Sequence, residues 1–73
     1  MFKAIVEVKA VRKGESVIRP LTVEVNISAQ NKQEARDNFL MSLILKKAPF
    51  DRVFNEFNIL GKISYKIFLA APN

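Results

Sequence analysis

The stretch FKAIVEVKAVRKGESVIRPLTVEVNI, residues 2 to 27, alternates apolar and polar side chains on both sides of a glycine. In its first half Phe2, Ala4, Val6, Val8 and Ala10 fall on one face, and Lys3, Ile5, Glu7, Lys9 and Val11 on the other. A period of two with β-branched residues is the signature of a strand buried on one side. In the second half Val17, Leu21, Val23, Val25 and Ile27 point inward, with Ile18, Thr22, Glu24 and Asn26 outward. KGES lies between them, and Gly14 supplies the positive φ that a tight connection needs. The two runs read as an antiparallel hairpin. Their apolar sets share a face only if opposed residues have numbers summing to an odd value, such as 27 or 29. Pro20 has no N–H for a ladder, which places its strand at an edge or a bulge.

The pattern then changes period. Asn31 can cap a helix with its side-chain oxygen, and Glu34, three residues on, can reach back to complete a capping box. Ala35, Phe39, Leu40, Leu43 and Ile44 fill one broad helical stripe. Met41 and Leu45 point away from it, so the run FLMSLILKK is apolar nearly all the way round. Lys46 and Lys47 stand at the carboxyl end, where the helix dipole favours cations, and Pro49 stops the helix. In FDRVFNEFNILG the spacing of Phe50, Phe54 and Phe57 fits a short second helix ended by Gly61, or a loop pinned by three aromatics. Either would fold over the helix's far side and cover Met41 and Leu45. KISYKIFL alternates again, Ile63, Tyr65, Ile67 and Leu69 against Lys62, Ser64, Lys66 and Phe68, which predicts a third strand beside the first. The closing AAPN reads as frayed. The expected fold is α+β: a β-hairpin, a helix, a short aromatic segment and a third strand, ββαβ in two layers.

Composition narrows the function more than it identifies it. The 73 residues make one small domain, too short for a large core. There is no cysteine and no histidine, which removes thiolate metal sites, disulfides and the commonest general base. The absence of cysteine fits a reducing cytosol, no apolar run reaches the length of a membrane span, and the amino terminus alternates instead of forming a signal-peptide core. A soluble, cytoplasmic protein is expected. Glu7, Glu15, Glu24, Glu34, Asp37, Asp51 and Glu56 are scattered over strands, turns and helix faces, whereas hydrolytic or metal chemistry needs carboxylates that converge. The serines have no histidine to activate them. No catalysis, metal or cofactor is expected.

Binding is what remains. The net charge of +5, from 12 basic and 7 acidic side chains, draws the domain toward nucleic acid or an acidic protein face. If the first and third strands are neighbours, Lys3, Lys9, Lys62 and Lys66 share the outward sheet face with Ile5 and Phe68, an arrangement able to hold a single strand by phosphate contact and stacking. Only one aromatic is available there, and the chain has no helix-turn-helix, zinc-finger or GXXG pattern. A second strand left at an edge could accept a partner peptide along Thr22, Glu24 and Asn26. Bare apolar surface at Met41 and Leu45, rimmed by Lys46, Lys47 and Arg52, could mark a partner site.

Two resemblances follow from the order of elements. A hairpin, a capped helix opening with Glu34, Ala35 and Arg36, and a returning strand resemble the small archaeal large-subunit ribosomal proteins. Those carry a glycine-serine and basic loop where this chain has FDRVFNEF, so that resemblance implies nothing about RNA. In length, charge and element order the whole chain also resembles small phage-encoded host-takeover proteins. That resemblance implies a non-enzymatic regulator, in the host cytoplasm, bound to a host protein complex such as RNA polymerase. Basic residues would speed approach and a strand edge would add specificity. The expected partner contacts are Lys3, Lys9, Arg12 and Lys13, then Thr22, Glu24 and Asn26, then Lys46, Lys47 and Arg52. A nucleic-acid partner on the outward sheet face is the alternative.

Overall fold

The computed structural model describes residues 1–70; of the closing AAPN, expected to fray, Ala70 is tied by its N–H to the Met1 carbonyl, and the last three residues lie outside those described. Strand β1 (Phe2–Arg12) and strand β2 (Ile18–Ile27) form the hairpin, helix α1 (Lys32–Ile44) and helix α2 (Phe50–Glu56) follow, and strand β3 (Phe57–Leu69) returns. The sheet is antiparallel with order β2-β1-β3. The α+β expectation holds, with two helices between the hairpin and the third strand.

Phe2 lies opposite Ile27, so opposed residues sum to 29, one of the two registers that the shared apolar face allows. Phe2, Ala4, Val6, Val8 and Ala10 are buried along β1, and Ile27 closes the same face on β2. Val17 falls outside the strand and is exposed, as is Leu69 at the far end of β3. The only alanines in the strands, Ala4 and Ala10, sit in the central strand beneath the helices, where short side chains leave room for the second layer.

β3 begins five residues earlier than KISYKIFL suggests, because Phe57 and Ile59 continue its alternation. The signal was broken by a bulge. Opposite Glu7 and Lys9 stand Ser64 and Leu60, so Gly61, Lys62 and Ile63 face Val8 alone. Two extra residues shift the register without changing the face, which is why Ile59 and Ile63 both pack on the core. Gly61 has φ +71°, a left-handed turn of the backbone that glycine makes without strain. Here it bends a strand instead of ending a helix.

The Asn31 side chain accepts the Glu34 N–H at 2.9 Å, the forward half of the expected box; its return half does not form among the described residues. At the other end of α1, Lys47 N–H donates to the Ser42 carbonyl at 2.9 Å and Lys46 N–H to Leu43 at 3.2 Å. This is a Schellman close with Lys46 at φ +53° in the place usually taken by glycine. Ala35 and Phe39 are buried and Leu40 and Leu43 half-buried, but Ile44 is 72 % exposed. The Phe50 ring meets Phe39 edge-on, centroids 5.8 Å apart, and Tyr65 meets Phe39 from the sheet at 4.9 Å. The aromatic segment therefore plugs the core beside α1 and does not fold over its far side. Met41 and Leu45 stay more than half exposed. The expectation of a helix sandwiched between two layers of its own chain is corrected: α1 has the sheet on one side and solvent on the other.

Candidate functional site

The expected contact residues divide among three regions. Lys3 and Lys9 lie on the open sheet face, in rows set by the register: Asn26, Lys3 and Phe68; Glu24, Ile5 and Lys66; Thr22, Glu7 and Ser64; Pro20, Lys9 and Leu60. Four lysines on or beside this face meet two glutamates, with Glu7 on the central strand between Lys3 and Lys9. Lys3 Nζ is 3.9 Å from Glu24 Oε2, an exposed pair of little energetic weight. A shallow hollow at the bulge has Glu7 beside Lys9 and Lys62. The face is mixed in sign.

Arg12 and Lys13 lie at the hairpin end. Arg12 sits over the Phe57 ring at 4.9 Å and reaches Glu15 at 3.9 Å, while the Lys13 N–H donates to the Glu56 carbonyl at 2.9 Å, extending the β1–β3 ladder. Arg12 is thus partly occupied in closing the core's far end. Lys46 and Lys47 stand at the end of α1 and Arg52 on α2, all exposed. Lys46 Nζ lies 5.7 Å from the centre of the Phe54 ring, so its side chain also has an intramolecular partner. These ten residues make no single site.

Thr22, Glu24 and Asn26 are on the exposed edge strand, and the direction of their backbone follows from one bond. The Ala70 N–H donates to the Met1 carbonyl at 3.0 Å, so the pair Met1–Ala70 is a hydrogen-bonded one. In an antiparallel ladder such pairs alternate. Lys3, Ile5 and Glu7 therefore bond to β3, and Ala4, Val6 and Val8 to β2. On β2 the groups of Thr22, Glu24 and Asn26 point away from the sheet. Pro20 shares their parity, so its missing N–H costs the ladder nothing.

The same alternation leaves the N–H and C=O of Tyr65 and Ile67 on the outer side of β3. Among the described residues no other backbone bond reaches them. Beside this edge is a cleft of about 740 Å³, lined by Lys32, Gln33 and Arg36 of α1 and by Tyr65, Lys66, Ile67 and Phe68 of β3. Four consecutive strand residues, of both side-chain directions, can line one cleft only if it runs along the strand's edge. Among the described residues its walls hold three cations and no carboxylate; nearby Asp37 accepts the Gln33 amide at 3.1 Å. Sequence reading missed Lys32 and Arg36, because nothing in the local pattern says which strand edge α1 runs beside. Lys66 and Phe68 were visible as outward residues, but not as the lip of a cleft.

No three carboxylates converge as a metal would require among the described residues. No helix is long and apolar enough to cross a membrane among the described residues. Comparison with known proteins finds no matching family model, curated protein or solved structure. Among the described residues, the fold and surface define a small α+β domain with two unpaired strand edges, one of them walled by basic side chains.

Proposed function

We propose that the chain is a non-catalytic regulator that docks on an acidic face of a larger protein machine and alters it by occupying that surface. Host RNA polymerase is the partner implied by the resemblance to phage-encoded host-takeover proteins. The carrying observation is the distribution of charge. Lys32, Arg36 and Lys66 converge on a cleft with no carboxylate in its lining among the described residues, whereas the open sheet face sets Glu7 and Glu24 among its lysines. A one-signed recess attracts an acidic protein segment and speeds its approach. The scattered carboxylates and the absence of histidine support a binding role over a catalytic one.

A nucleic-acid reading has one observation in its favour: Phe68 is exposed in the same row as Lys3 and could stack a base. Glu7 at the centre of that face would repel the phosphates. The test is affinity capture on the immobilised domain from nuclease-treated host lysate, with mass spectrometry. Recovery of a defined protein complex is expected, and it should survive nuclease. Recovery of nucleic acid alone from untreated lysate, with affinity falling steeply as salt rises, would contradict the proposal.

A further inference from the structure

We infer that the outer edge of β3, from Tyr65 to Phe68, accepts an extended acidic peptide as a fourth strand, clamped under Lys32 and Arg36. The inference rests on the proposed function and names its mode of binding. Tyr65 and Ile67 present unpaired backbone donors and acceptors along the floor of the cleft, and an incoming strand would satisfy them with the bonds β1 already makes on the other side. Such a strand alternates its side chains between two faces. Those on the helix side would rise toward α1, and those on the other would lie beside Lys66 and Phe68.

Spacing decides the chemistry. Lys32 and Arg36 are one helical turn apart, about 6 Å along α1, and alternate residues of a strand are separated by about 6.7 Å. Two carboxylates at positions i and i+2 of the peptide have the spacing to meet the two cations, which line the same cleft as Tyr65 to Phe68. Arg36 can take its carboxylate in a forked pair. The favoured occupant is a partner segment of Glu or Asp alternating with β-branched residues. The β2 edge has the same free backbone at Thr22, Glu24 and Asn26, but it has Glu24 in place of a basic wall.

The experiment uses a synthetic ten-residue peptide of alternating Glu and Val, titrated into ¹⁵N-labelled protein and followed by amide spectra. Controls are the same composition with the glutamates in one block, and the alternating peptide N-methylated on every second residue. Binding of the alternating peptide is expected to shift Tyr65 to Phe68 and residues 32 to 36, and to slow exchange of the Tyr65 and Ile67 amides. Lys32→Glu with Arg36→Glu, both at exposed positions, should weaken it by about tenfold or more. Block and N-methylated peptides should bind much less. Equal binding of all three peptides, shifts confined to the open sheet face, or no binding at all would overturn the inference. So would β3 pairing with a second copy, seen as shifts at the same amides on concentrating the protein alone. If the charge-reversed variant still captures the protein complex from lysate, this mode fails and the proposed function stands.

Discussion

Phe39 is where three elements meet: it stands on α1, touches Phe50 edge-on and lies on Tyr65 of the sheet. Phe39→Ala removes one of the largest buried side chains and should cost about 3–5 kcal/mol, read by urea denaturation. In so small a domain that loss should leave much of the population unfolded. Lys46 makes the opposite case. Its left-handed φ is one that a side chain resists, so Lys46→Gly should stabilise the fold by about 1 kcal/mol in the same assay. Its contact with Phe54 is the term working against that gain. The sequence shows Asn31 as a cap because the signal is local. It does not show Lys46 as the helix terminator, since lysine carries no mark of the left-handed region. Lys46 reads instead as a cation placed for the dipole.

At the scale of elements, one buried face fixes the phase of both hairpin strands and narrows the register to sums such as 27 or 29, and the pairing itself selects 29. β3 was legible only after its bulge. Gly61 looks like a helix stop when read with the phenylalanines before it, and only the pairing of Leu60 with Lys9 and Ser64 with Glu7 shows the strand running on both sides. Gly61→Ala should destabilise by about 1–2 kcal/mol through backbone strain alone, because a Cβ there meets nothing within 4 Å. A thermal melt of the variant checks it, and an unchanged melt would remove the bulge from the account. The helical stripe places Ala35, Phe39, Leu40 and Leu43 against the core, but in a run as apolar as FLMSLIL it does not mark where that contact ends. Ile44 lies at the margin of the expected stripe and is open to solvent. Ile44→Lys should therefore change stability by less than about 0.5 kcal/mol, where a core position would lose several times as much.

The whole molecule is elongated, 41 × 21 × 21 Å with a radius of gyration of 13.1 Å, against about 11 Å for a compact chain of this length. The cause is a mismatch of elements. Because of its bulge, β3 runs only the length of the 11-residue β1, about 35 Å as a strand, while the 13 residues of α1 span about 20 Å. One helix cannot cover the sheet, and the short α2 and Phe57 extend the second layer toward the hairpin end. Among the described residues both outer strands keep long free edges because the sheet stops at three strands, and α1 passes close enough to one of them to wall a cleft. That juxtaposition depends on strand order and helix path together, which is why Lys32 and Arg36 escaped a reading built from local periodicity. The free edge of β3 is the claim on which the binding account rests, and amide hydrogen exchange of the isolated domain tests it most directly. Ser64, Lys66 and Phe68, bonded to β1, should exchange slowly, while Tyr65 and Ile67, although their side chains face the core, should exchange fast. Slow exchange at all five amides would mean that the edge is already covered, and would contradict the account.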